Sequence, residues 1–158
     1  MPADVRPGIT AGIRAPQGVE PELARQLSRP MVYTFGGQAS SLANLGELHQ
    51  RQSHYREALA CLRESLAIRR NMADRHGQAH SPHNLGIVYA RQTRYDQALA
   101  CLRESLTICK ELGDRCGEAF SLRELGVTLR ALGRPEEART HWLKAQAISA
   151  RLPATDAG

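Results

Sequence analysis

Aromatic residues are scarce in this 158-residue chain: two Phe, four Tyr and one Trp make up 4% of it. The strands of β-sandwiches and barrels favour aromatic and β-branched side chains, so this scarcity argues against an all-β fold. No apolar run reaches the ~18 residues that would mark a membrane span. The opening MPADVRPGITA has neither the basic start nor the apolar stretch of a secretory signal. A soluble, cytoplasmic chain of one ordinary domain is expected, with no membrane contact.

Paired cysteines are missing too. Cys61, Cys101, Cys109 and Cys116 contain no Cys-x-x-Cys motif, which suits reduced thiols rather than a disulfide framework. A structural zinc needs about four converging ligands, and Cys116 with His80 and His83 falls short, so no metal is expected. There is no Gly-rich phosphate loop, no Gly-x-Ser-x-Gly and no His-Glu-x-x-His. The expectation is a protein with no enzymatic activity and no cofactor.

Lysine is almost absent, with only Lys110 and Lys144, and arginine carries the basic character. A GC-rich genome produces that skew through its codons. The net charge of +5 divides as +1 over residues 1–38 and +2, 0 and +2 over the three following blocks of forty. Phosphate binding needs charge gathered on one face. A charge spread this evenly argues against direct contact with nucleic acid.

What is abundant is Ala, Leu, Arg, Glu and Gln, all good helix formers. They are arranged in a repeat. Ala39, Ala79 and Ala119 each open a block of forty residues with no insertion between blocks. The run ALACLRESL stands unchanged at Ala58–Leu66 and Ala98–Leu106. Within a block, Leu42, Leu45 and Leu48 mark one helical face, and Leu59, Leu62 and Leu66 mark a second. Turns are expected at Gln52-Ser53-His54, Gln92-Thr93-Arg94 and Leu132-Gly133-Arg134-Pro135. Pro135 suits the first turn of a helix, and Pro82, with Ser81 as its N-cap, suits the same role in the second block. Asp74 and Asp114 are expected to shape the links between blocks, with Arg75 and Arg115 pairing to Glu64 or Glu104.

Gly46, Gly86 and Gly126 recur inside the first helix of each block, where glycine costs about 0.5–1 kcal/mol relative to alanine. Close approach of the partner helix at Ala58, Ala98 and Ala138 would explain them. Cys61 and Cys101 recur as small packing residues. Trp142 replaces Leu62 and Leu102 in the last core layer, where it is expected to be partly exposed. One hairpin cannot bury its own apolar face, so three stacked units are about the minimum for stability.

The pattern Leu45-Gly46, Tyr55, Ala58 and Leu62, with its counterparts forty residues on, resembles the tetratricopeptide repeat. The forty-residue form, with Asp114-Arg115-Cys116-Gly117-Glu118 before the next helix, is similar to Pins-type adaptors and to the C-terminal repeats of actinobacterial AfsR-like regulators. It also resembles kinesin light chain, whose period is slightly longer. The resemblance implies an all-α, right-handed superhelical solenoid of three helical hairpins, at 39–78, 79–118 and 119–152. It further implies a protein-interaction module whose first helices line a concave groove for a partner peptide. Mapped onto that groove, the candidate binding residues are Asn44, Asn84, His83, Arg91 and Arg123.

An Asn amide both donates and accepts, so Asn44 and Asn84 could hold the backbone of an extended peptide. The competing assignment ties them to a neighbouring helix terminus or loop. Arg51, Arg91, Arg123 and Arg130 would give the groove a positive rim, partly offset by Glu47 and Glu124. Residues 1–38 are expected to be mostly without fixed structure, with Glu22–Ser28 suited to a short capping helix, and 153–158 form a tail. With neither end of the array capped, self-association through those ends is a further expectation, sensitive to polar changes at Leu129, Trp142 or Ile148. A portion of an AfsR-type regulator is the remaining alternative.

Overall fold

Good helix formers interrupted at regular short turns give six α-helices and, among the described residues, no strand. The computed structural model describes residues 21–153, with side chains from Phe35 onward. Its helices are α1 (Pro21–Arg51), α2 (Tyr55–Asn71), α3 (Arg75–Arg91), α4 (Tyr95–Leu112), α5 (Arg115–Ala131) and α6 (Pro135–Ser149). The chain divides into two units, residues 1–34 and 35–158. In the first, the backbone is helical from Pro21, so Glu22–Ser28 belongs to α1 rather than to a separate short helix. The expectation that the chain start lacks fixed structure falls, through Glu20, outside the described residues. The second unit holds the hairpins α1–α2, α3–α4 and α5–α6, stacked in chain order.

All five turns close in one way. The amides of His54, Asp74, Arg94, Asp114 and Arg134 donate to the carbonyls of His49, Arg69, Tyr89, Cys109 and Leu129 at 2.8–2.9 Å. The residue before each donor (Ser53, Ala73, Thr93, Gly113 or Gly133) has a positive φ, between 55° and 81°. This is the Schellman ending of a helix, and it returns every twenty residues, half the sequence period. The same geometry therefore closes a hairpin and links it to the next.

Only two of those five positions are glycine, and a left-handed L-residue costs about 1–2 kcal/mol. Ala73 is exposed and has no side-chain hydrogen bond to lose. Ala73→Gly is therefore expected to stabilise the protein by about 0.5–1 kcal/mol after the entropy of the freer unfolded chain is subtracted. A higher urea midpoint at unchanged slope would show it. An unchanged or lower midpoint would mean that the turn carries no such strain.

The helices begin where the caps put them. Asp74 accepts from the Gly77 amide at 3.0 Å, and Asp114 from the Gly117 amide at 2.8 Å. Helices α3 and α5 thus start at Arg75 and Arg115, four residues ahead of Ala79 and Ala119. Self-similarity fixes a period but not its phase. Ser81 is accordingly no N-cap. Its hydroxyl donates to the Gly77 carbonyl at 3.2 Å, and Pro82 is buried inside α3. Arg75 pairs with Glu111, and Arg115 with Glu118 at 2.7 Å, while Glu104 takes Arg70 at 2.7 Å. The expected pairing to Glu64 or Glu104 fails because each Arg lies at the mouth of its own helix. Pro135 stands in the first turn of α6, as its missing N–H favours.

The recurring glycines answer to a side chain, more than to the partner backbone. A Cβ on Gly46 would stand 2.7 Å from Leu62 Cγ, and one on Gly86 would stand 2.6 Å from Leu102 Cγ. On Gly126 it would run into the Trp142 indole, whose Nε1 donates to the Arg123 carbonyl at 3.2 Å. Leu62 and Leu102 are fully buried as a result, and Trp142 half-buried. Layers of core then alternate along the stack: Leu59, Leu62 and Leu66 with Leu85 and Val88, then Leu99 and Leu102 with Leu125 and Leu129. Leu129 is buried in the second of these layers, and Ile148 is buried in a further cluster with Ala119, Leu122 and Ala145. Polar substitution there would break a hairpin, so neither residue reports on association at an array end.

Candidate functional site

Stacking three hairpins in one register sets α1, α3 and α5 side by side, and a groove of about 630 Å³ opens along them. Glu47 and Arg51 come from α1, His76, His80, His83 and Asn84 from α3, and Phe120 and Arg123 from α5. Ser105 and Cys109 of α4 also line it. The groove joins His83, Asn84 and Arg123 of the five expected residues. Asn44 and Arg91 are exposed and do not line it.

Asn84 is buried, and its amide nitrogen donates to Glu47 Oε1 at 2.8 Å while standing 3.4 Å from His80 Nδ1. That amide bridges α3 to the neighbouring helix α1 through a carboxylate four residues before α1 ends, which is the tie to a neighbouring helix end rather than to a loop. Asn44, at the same place one block earlier, is exposed because no hairpin precedes it in the described stack.

Arg123 is exposed, with its guanidinium 5.2 Å from the Phe120 ring centroid and its Nε 3.4 Å from Glu124 Oε1. Phe120 is 51% exposed, so this cation–aromatic pair lies open to the groove. His83 has its pKa lowered to about 4, first by burial and then by His80 and Arg123, against a smaller opposing pull from Glu47. It is neutral in the groove at physiological pH. Burial raises the Cys109 thiol above its ordinary value, and Asp114 adds to that, so this cysteine is a packing residue rather than a nucleophile. Among the described residues no three His, Cys, Asp or Glu side chains converge to hold a metal ion.

The sequence did not point to His76, Cys109 or Asp114 as groove residues. The capping pattern Asp-Arg-x-Gly, repeated at Asp74 and Asp114, carried the signal, because it moves the helix starts upstream and brings position 76 into the face.

Helical hairpins stacked in register around a groove lined by their first helices define an α-helical solenoid. Tetratricopeptide repeat models match residues 38–76 and 75–154, and the chain belongs to that family. The match is to the repeat itself; the narrower likeness to Pins-type adaptors and AfsR-like regulators remains an expectation from the sequence. Among solved structures, the TPR domain of Arabidopsis FLU is similar at 18% identity and a TM-score of 0.69, covering 73% of this chain and 98% of that one. At that identity the likeness concerns the fold. No curated protein matches the chain. Tetratricopeptide repeats typically mediate protein–protein interaction.

Proposed function

We propose that the chain is a non-catalytic interaction module that binds a partner peptide along the α1–α3–α5 groove. The observation carrying this reading is the Arg123–Phe120 pair: a cation and an aromatic ring, both exposed, that the fold does not need for its core. Such a pair suits a peptide presenting a carboxylate beside an apolar side chain. Neutral His83 and the bridged Asn84–Glu47 shape the groove wall between them. Exposed Asn44 and Arg91 would extend the contact beyond the groove itself.

Selection of a phage-displayed random peptide library on the full chain supplies ligands to test. Arg123→Ala and Phe120→Ala are each expected to weaken the selected peptides at least tenfold by calorimetry, which corresponds to about 1.4 kcal/mol. Both residues are exposed, so the helix content by circular dichroism should hold. Equal affinity in the variants, or no peptide selected at all, would remove the groove from consideration.

A further inference from the structure

The forty-residue translation shows what each hairpin presents to its neighbours, and among the described residues it leaves two surfaces without an occupant. In α3, Leu85 and Val88 pack on α2 and are 4% and 0% exposed; their counterparts in α1, Leu45 and Leu48, are 42% and 50% exposed. Gly77 and Gly117 are pressed by their capping aspartates, Asp74 and Asp114, and equally by side chains of the preceding hairpin, Arg69 in one case and Cys109 Sγ in the other. Gly37, forty residues before Gly77, lies inside α1, yet a Cβ there would meet nothing within 4 Å. A glycine in a helix interior weakens it, and no contact among the described residues accounts for this one.

At the other end of the stack, α5 and α6 frame an apolar groove of about 460 Å³. Its lining includes Ala119, Phe120, Ala145 and Ser149, which stand forty residues after Ala79, His80, Ser105 and Cys109. Those four line the face of α3–α4 on which α5 sits, where Ser105 and Ser121 share a hydroxyl bond at 3.0 Å. The last hairpin therefore repeats a seat whose occupant is known in the middle of the array. The first helix carries the face that such a seat receives.

We propose that α1 of one copy of this chain docks on the α5–α6 hairpin of a second copy, in the register that α5 holds on α3–α4. In that register Gly37 lies against Ser149 of the second copy, as Gly117 lies against Cys109 within one chain. Ser41 faces Ala145, as Ser121 faces Ser105. Leu42 faces Gln146, where the corresponding Leu122 meets Leu106. The contact is head-to-tail, so each added copy leaves another seat open and association does not close at a dimer.

The full chain is expected to show a weight-average mass in sedimentation that climbs past the dimer with concentration. Leu48→Glu spoils the docking face, and Gln146→Glu with Ser149→Glu spoils the seat; all three positions are exposed and outside the Arg123–Phe120 pair. Each variant alone should remain monomeric at normal helix content. A one-to-one mixture of the two should form dimers and nothing larger, since one sound face meets one sound seat. Gln146→Leu, restoring the residue found at positions 66 and 106, should tighten association. Gly37→Leu should keep or raise the melting temperature and abolish association. A wild-type chain that stays monomeric, variants that associate as wild type does, or a mixture that fails to pair would overturn the proposal. Phe120 and Arg123 border both surfaces, so peptide binding is measured on the monomeric Leu48→Glu variant, which keeps both residues and tests the groove apart from association.

Discussion

Leu102→Ala is expected to lower the unfolding free energy by about 2–5 kcal/mol, the range for a leucine truncated in a well-packed core. Leu102 is fully buried, packed in one layer with Leu99, Leu125, Leu129 and Ala138. Gly86→Ala should cost less, about 1–2 kcal/mol. Its new methyl would stand 2.6 Å from Leu102 Cγ and 3.2 Å from the Ala98 carbonyl oxygen, an overpacking that the better helix propensity of alanine offsets only in part. The two changes compete for one space. In Gly86→Ala/Leu102→Ala the added methyl enters the volume the leucine vacates, so the double variant should be more stable than the sum of the singles by about 1 kcal/mol. Urea unfolding of the four proteins gives the coupling directly, and strict additivity would refute the shared-space account of the recurring glycine.

Acid should unfold the array in a window that His83 sets. Its folded-state pKa of about 4 lies below the ordinary 6.5, so between those values the unfolded chain binds a proton that the folded chain refuses. Stability from this group is complete above about pH 6.5, falls as pH drops toward 4, and falls no further below that. The full shift corresponds to a loss on the order of 3 kcal/mol, before any relaxation of the groove. His83→Gln removes the titrating group. Chemical denaturation of wild type and variant from pH 7.5 to 4 should show curves that converge toward acid, with the variant losing less. Parallel curves would mean that His83 titrates alike in both states.

Much of the architecture was legible because the repeat is written without insertions. Helix identity, the three hairpin turns at residues 52–54, 92–94 and 132–134, and the first-turn role of Pro135 followed from periodicity and turn chemistry. The phase was harder to read. Pro82 resembled a helix start, but the Asp74 cap eight residues earlier begins the helix, and burial of the proline in the stack compensates for one missing backbone bond. The groove was partly legible: position within the repeat picked out His83, Asn84 and Arg123. It could not distinguish Asn84, tied to Glu47, from Asn44, left in solvent, because that difference arises from whether a hairpin precedes the residue. The same limit hid the contrast between Leu45 and Leu85, which one pattern places alike and the stack treats differently.

The identical turns and the duplicated run ALACLRESL bear on how such a chain can change length. Excising the forty residues from Leu59 to Ala98 would join Ala58 to Leu99 and restore the same nine-residue text without a seam. Gly46 would still face a leucine and Gly126 its tryptophan, and Asp114 would still cap its helix. Recombination between the two copies of the run in the gene would thus yield a shorter or longer array that already knows how to stack. One inserted residue within a helix would instead swing all later side chains by about 100° and turn the leucine face away from its neighbour. The fold is open to duplication by whole hairpins and closed to insertion by single residues.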